Sequence, residues 1–206
     1  MAPYARPNII YETFPDRFRV PDRKYSSFYA EKILFTKEEL VLIQSYFRDE
    51  SHRVYPITED NLQINPNGSS FTEHTFTWNE ETNFVFQRVQ DWTKELELDF
   101  KWIKPPWTEF RRYKKGDYFV KHDDTPWDHD GLPKRYFTIG IQLNDGYQGG
   151  DFVIDDLHTM EKKAGNVTLW GIEVPHEVTL ITSGIRETLV MFVDVESGQV
   201  GEKKLM

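Results

Sequence analysis

Residues 108–124 read T-E-F-R-R-Y-K-K-G-D-Y-F-V-K-H-D-D. Thr108–Lys114 and Tyr118–His122 are rich in strand-forming residues, and Lys115-Gly116-Asp117 between them is a turn signal. The stretch therefore predicts two short strands joined by a tight turn. Residues i and i+2 of a strand point to the same side, so His122 and Asp124, at the end of the second strand, can reach one ion together. Two histidines and one carboxylate can occupy one face of an octahedral Fe(II) and leave three positions open. The third ligand must come from another strand. His176, in Pro175-His176-Glu177, is the best-placed candidate, and Arg186 follows it ten positions later.

Outward from this pair, the chain from 101 onward has one texture: short strands broken by turn residues. Further strands are expected at Tyr136–Leu143, Phe152–Ile154, Asn166–Trp170, Glu177–Ile181 and Glu187–Val195, with breaks at 144–150, 164–165 and 183–184. Many short strands at this spacing predict a sandwich or jelly roll rather than a parallel α/β sheet. The N-terminal half reads differently. Residues 1–30 have no clear period and read as an irregular arm, and 56–70 reads as a loop. Thr36-Lys-Glu-Glu39 has the form of a capping box, with Leu40, Ile43 and Phe47 following at helical spacing, so a helix is expected over 37–49. A strand is expected over Thr72–Trp78. After it, Asn79 is a candidate cap for a helix carrying Val85, Val89, Trp92 and Leu96. The fold expected is mainly β with supporting helices, in a single domain over 1–206. Residues 1–100 form a helical and irregular support, and 101–206 form the jelly-roll core.

Aromatic residues make up 15% of the 206, which favours a β-rich architecture. The absence of cysteine excludes disulfides, Cys-ligated zinc, Fe–S clusters and thiol catalysis. A formal net charge of −9 argues against a broad nucleic-acid-binding face. The N-terminus lacks an apolar h-region and no apolar run is long enough to span a bilayer, so a soluble, cytoplasmic protein with no membrane partner is expected. The sequence carries no signal for a subunit count.

Residues 110–195 resemble the catalytic core of the Fe(II)/2-oxoglutarate-dependent dioxygenases, most closely the prolyl 4-hydroxylase-like group. The resemblance rests on Arg112-Tyr113-x-x-Gly116-x-Tyr118-x-x-x-His122-x-Asp124, then Leu143-Asn144 and Gly149-Gly150. Gly165-x-x-x-Leu169, His176-Glu177-Val178 and Ser183-Gly184-x-Arg186 complete it, in family order. It implies a double-stranded β-helix, a cupin-like jelly roll, with iron held by His122, Asp124 and His176 near its open end. It also implies that 2-oxoglutarate chelates the metal through its 2-oxo acid end, while Arg186 pairs with the distal carboxylate. A guanidinium matches a carboxylate in a planar, two-pronged way that lysine cannot. Tyr113 could add a phenol hydrogen bond to the same carboxylate or be an inward-facing core residue. The chemistry implied is hydroxylation with O2 and 2-oxoglutarate consumed and succinate released, with ascorbate as an accessory. A prolyl residue in a protein or peptide is the substrate implied, with a free amino acid or other small molecule as the alternative. A non-catalytic binding module on the same fold is the reading from outside enzymology.

Around this constellation, Asp123 is expected on the opposite side of the strand, and Gly149-Gly150 is read as a turn. His158 lies in a polar turn with no arginine ten positions on and is not expected to bind metal; His129 is read as a surface-loop residue. The loop 125–133 is expected to be a lid, with Trp127 stacking on substrate. Gln142 is a further candidate for substrate contact, and Arg135 and Trp170 are candidates for the border of the site.

Overall fold

The strands expected from residue 107 onward form, and their alternation separates two environments. The computed structural model describes residues 29–46, 53–54, 69–75, 80–96, 98, 106–124, 134–154 and 158–195. The described strands are β1 (Tyr29–Ile33), β2 (Arg53–Val54), β3 (Ser69–Ser70), β4 (Thr72–Thr75), β5 (Trp107–Tyr113), β6 (Tyr118–His122) and β7 (Lys134–Gln142). They continue with β8 (Gln148–Gly149), β9 (Phe152–Ile154), β10 (His158–Thr159), β11 (Asn166–Gly171), β12 (His176–Val178), β13 (Ile181–Ser183) and β14 (Arg186–Val195). Two helices, α1 (Lys37–Ser45) and α2 (Asn83–Glu95), complete the described elements.

A seven-stranded sheet runs β1-β11-β7-β14-β5-β4-β2, and a five-stranded sheet runs β10-β9-β12-β6-β3, with antiparallel pairing throughout. This is the jelly-roll architecture expected. On the large sheet, Phe137, Ile139 and Ile141 of β7, Val167 and Leu169 of β11, and Leu189, Met191 and Val193 of β14 share one buried cluster. Leu40 and Ile43 of α1 and Val85, Val89 and Trp92 of α2 belong to the same cluster. The helices therefore cover the outer face of the large sheet with a dry apolar layer. The intervening residues of the same strands, Gly140 and Gln142, Asn166, Thr168 and Trp170, and Arg186, Thr188 and Val190, line a cavity on the other face. Two smaller apolar clusters bridge the two sheets, one around Trp170 and Ile154 and the other around Tyr113 and Val178.

Local signals set α1. Thr36 and Glu39 form the capping box, and Arg88 of α2 donates to Glu39 and to the Leu34 carbonyl, tying the helices together at the end of β1. The structure corrects several boundaries. Helix α1 ends at Ser45 rather than 49, and Phe47 lies outside the described residues. Helix α2 starts at Asn83 with Thr82 at its N-cap, where no side-chain bond forms; Asn79 is outside the described residues. Residues 29–30, expected in an irregular arm, begin β1, and 69–70, expected in a loop, form β3. The expected strand Glu177–Ile181 divides into β12 and β13, because Thr179 turns away to bond the Asp151 backbone and Ile181 pairs with Gly149.

Gly165 closes the junction between β11 and the segment entering α1. It sits at φ 87°, its carbonyl accepts from Leu34 N, and an added Cβ would lie 2.1 Å from the Phe35 carbonyl oxygen. Both the conformation and the space forbid a side chain. Gly165→Ala is expected to lower stability by about 2–4 kcal/mol, read as a drop in thermal midpoint with the circular dichroism of the folded state retained. An unchanged midpoint would show that the junction relaxes freely.

Candidate active site

Strand pairing brings the distant ligand candidates together. β12 lies between β6 and β9, and the register sets His176 directly opposite His122. Asp124 follows β6, and its backbone N–H donates to the Ile172 carbonyl at 2.8 Å, which fixes its place. One ligand atom from each of His122, Asp124 and His176 lies within 4.8 Å of the others. His176 Nε2 is 3.6 Å from Asp124 Oδ2, and His122 Nε2 is 3.9 Å from Asp124 Oδ1. The site carries all three residues expected as the triad.

Both imidazoles are oriented by the backbone. His122 Nδ1 lies 2.8 Å from the Val120 carbonyl and His176 Nδ1 2.8 Å from the Val174 carbonyl. A carbonyl can only accept, so Nδ1 carries the hydrogen in both rings and Nε2 presents a lone pair. His122 Nε2 is buried with no hydrogen-bond partner, the state expected of a donor atom that awaits a cation. Burial, reinforced by the neighbouring His176, lowers the pKa of His122 to about 4, so its ring is neutral near pH 7. Burial opposes the charge on Asp124, but His176, His122, Thr138 and Arg111 together outweigh it and hold the carboxyl below its usual range. Two imidazole nitrogens and a carboxylate oxygen form a donor set that fits Fe(II).

Asp124 is further held by Trp170, whose indole N–H donates to Oδ2 at 3.0 Å. Phe119 stacks on His122 with ring centroids 3.7 Å apart, and Trp170 packs against His176 at 5.1 Å. The ligands are thus walled by aromatic rings that keep the site dry.

The cavity between the sheets has a volume of about 600 Å³, including its open mouth, and runs from His122 and His176 to Arg186. Arg186 is 5% exposed, and its Nε and Nη1 are buried without a hydrogen-bond partner. Its guanidinium lies over the Tyr113 ring, 5.2 Å from the centroid, because Arg186 and Tyr113 are register partners on β14 and β5. A buried cation with two idle donors is costly unless an anion joins it, so this end of the cavity is built for a carboxylate or a similar group. Burial pushes the Tyr113 phenol above its ordinary pKa, while Arg111 and Arg186 pull the other way; Tyr113 is neutral and accepts a hydrogen bond from Arg111.

The remaining expectations fall as follows. Gln142 lines the cavity but sits near Arg186, two register steps along β14, with both amide hydrogens in use toward the Asn144 carbonyl and Tyr147. Asp123 is exposed, as expected for the residue between the two ligands. His158 stands apart from the triad, stacked on Tyr29 and 3.5 Å from Glu31. Gly149 and Gly150 are structural: both have positive φ, and a Cβ on Gly149 would fall 2.0 Å from the Leu180 carbonyl oxygen. Trp127, His129 and the whole loop 125–133 lie outside the described residues apart from the backbone beginning at 134, and Arg135 is described only as part of β7. The roles of Trp170, Tyr147 and Arg111 escaped sequence reading. Alternation along Asn166–Trp170 does place Trp170 on the face of Asn166 and Thr168, but its partner Asp124 comes from a different sheet.

Comparison with known proteins agrees with this geometry. Residues 108–194 match the 2OG-Fe(II) oxygenase superfamily. A PKHD-type hydroxylase of Shewanella sp. (strain MR-7) is 30% identical over 104 residues, 47% of this chain and 46% of that protein. The chain thus spans about half the length of this curated relative. Among solved structures, a Pseudomonas putida prolyl-4-hydroxylase superposes with a TM-score of 0.60 at 18% identity, covering 82% of this chain and 92% of that one. A viral collagen prolyl hydroxylase from Paramecium Bursaria Chlorella virus-1, in its 2OG complex, gives a TM-score of 0.61 at 18% identity over 86% and 99% of the two chains. At that identity the structural likeness establishes the fold.

The Trp170 indole N–H donates a hydrogen bond that helps to orient the Asp124 carboxylate. Trp170→Phe keeps the aromatic wall and removes that bond, and is expected to weaken Fe(II) or Mn(II) binding about tenfold in anaerobic equilibrium dialysis. Wild-type affinity in the variant would show that the Asp124 backbone anchor suffices.

Proposed function

We propose that this chain, whose residues 108–194 belong to the 2OG-Fe(II) oxygenase superfamily, is an Fe(II)- and 2-oxoglutarate-dependent hydroxylase acting on a prolyl residue of a protein or peptide. One observation carries the reading. The His122 Nε2 lone pair and the idle Arg186 donors, all buried, open onto one cavity, a cation acceptor at one end and an anion acceptor at the other. A 2-oxo diacid bridges two such ends: its 2-oxo acid function is a chelating group and its far carboxylate a partner for guanidinium. The prolyl substrate is supported by the PKHD-type hydroxylase relative and agrees with the prolyl hydroxylase fold.

Iron and 2-oxoglutarate, bound together with O2, supply an oxidant able to hydroxylate an unactivated C–H bond, with succinate and CO2 as coproducts. The protein provides placement and exclusion. His122, Asp124 and His176 would hold the iron and leave room for cosubstrate and oxygen. The Val120 and Val174 carbonyls orient both imidazoles, and Trp170 holds the Asp124 carboxylate. Arg186 would hold the cosubstrate by its far carboxylate and so restrict where its reactive end lies. Phe119, Phe152 and Trp170 line the metal end with rings that exclude bulk water. Trp127 is assigned to substrate contact on the sequence reading, and ascorbate to an accessory role tested by its omission from the assay.

Anaerobic addition of Fe(II) and then 2-oxoglutarate to the metal-free protein is expected to produce a visible charge-transfer band only when both are present. With O2 and proline-containing peptides, succinate release should exceed that with proline-free peptides. Arg186→Ala should weaken 2-oxoglutarate binding a hundredfold or more while Fe(II) affinity is retained, since a buried charged pair is lost. A folded protein that binds Fe(II) and gives no band would overturn the hydroxylase reading.

A further inference from the structure

Strand β14 begins at Arg186, and its two neighbours do not support that beginning equally. On one side β5 pairs with it from the first residue, Arg186 opposite Tyr113 and Glu187 opposite Arg112. On the other side the register with β7 starts only at Thr188 opposite Gln142, where β7 ends. One backbone bond carries the ladder a step further, from the Leu143 N–H to the Glu187 carbonyl at 3.0 Å. Backbone groups of alternate strand residues face the same neighbour. The Glu187 N–H and the Ile185 carbonyl therefore face the β7 side, beyond the end of that strand.

The side chain of Asn144 stands there. Its Nδ2 donates to the Ile185 carbonyl at 2.8 Å, and its Oδ1 accepts from the Glu187 N–H at 3.0 Å. A carbonyl can only accept and an N–H can only donate, so these two partners fix the orientation of the amide. A carboxamide offers the same donor and acceptor as a peptide unit, and here it extends the sheet as one. Asn144 is anchored in turn, because its own carbonyl accepts from Gln142 Nε2 at 2.7 Å. The two groups that it holds belong to the residues on either side of Arg186. The guanidinium itself has Nε and Nη1 without a hydrogen-bond partner, so its direction is inherited from this stretch of backbone and from the Tyr113 ring beside it.

We propose that Asn144 is a positioning residue for Arg186, its carboxamide replacing a peptide unit of β7 and holding the chain on both sides of the arginine. The assignment rests on the hydroxylase reading for what Arg186 binds, and on hydrogen bonds alone for how Arg186 is held. Asn144 does not line the cavity, so it acts through the strand.

Two variants separate the bonds. Asn144→Ala removes both, whereas Asn144→Asp keeps the size and the acceptor for Glu187 but sets an oxygen against the Ile185 carbonyl. Amide hydrogen exchange tests the clamp without any cosubstrate: the Glu187 N–H is expected to exchange about tenfold faster in Asn144→Ala than in wild type. An unchanged rate overturns the assignment. Its consequence is read with two 2-oxo acids of equal chain length, 2-oxoglutarate and 2-oxopentanoate, which lacks the distal carboxylate. Each is titrated anaerobically into Fe(II)-loaded wild-type, Asn144→Ala, Asn144→Asp and Arg186→Ala proteins, with the charge-transfer band as readout. Both Asn144 variants are expected to bind 2-oxoglutarate about tenfold more weakly, with 2-oxopentanoate and Fe(II) affinity unchanged. A merely structural role lowers the thermal midpoint and leaves the ratio of the two affinities as in wild type. That result, beside an Arg186→Ala protein that has lost the preference for the diacid, overturns the assignment while the hydroxylase reading stands. If the wild-type protein binds neither acid, the hydroxylase reading fails, and the role of Asn144 in cosubstrate binding fails with it.

Discussion

The site depends on one backbone constraint, the pairing of β12 between β6 and β9. This register sets His176 across from His122, and the chain beyond β6 then brings the Asp124 carboxylate within 4 Å of Nε2 of both rings. No side-chain contact would substitute for it. The imidazoles take their direction from carbonyls two residues earlier in the chain, and Asp124 takes its place from a backbone bond to Ile172. The backbone therefore fixes the direction of each candidate ligand.

A site of this kind leaves polar groups unsatisfied in a low-dielectric interior. The His122 Nε2 and Arg186 nitrogens are buried polar groups of the kind that cost stability unless they are paired. The outer face of the seven-stranded sheet, which carries Arg186, offsets that cost. Ile139, Ile141, Leu169, Leu189 and Met191 are fully buried against α1 and α2, each contributing roughly 1.5–3 kcal/mol of burial on transfer scales. One sheet thus carries a dry, stabilising layer outward and a polar, functional layer inward. The two-residue period of the strand keeps them apart.

Aromatic rings extend this division at the metal end. Phe119 covers His122, and Trp170 touches His176 and donates to Asp124, so a single indole contributes both apolar cover and a directed hydrogen bond. At the other end, glycines do the equivalent work by omission. Gly150 and Gly184 allow Tyr147 to approach Arg186, and any side chain there would push it away.

The sequence by itself determined much of this protein. The H-x-D spacing and the Pro-His-Glu histidine pointed to the three residues that cluster, because strand periodicity and ligand chemistry are local rules, and the family resemblance pointed to the buried Arg186. The long strands β5, β7, β11 and β14 were legible for the same reason, as was the capping box at Thr36. The two-residue strands β3, β8 and β10 were not, since they exist only where a partner strand supplies hydrogen bonds. Tertiary structure alone decided that β12 and β13 are separate, that Trp170 bonds Asp124, and that Gln142 turns its amide toward Tyr147 beside Arg186. Each of these joins residues distant in the chain. Their geometry follows from sheet register and packing, which no local pattern of residues encodes.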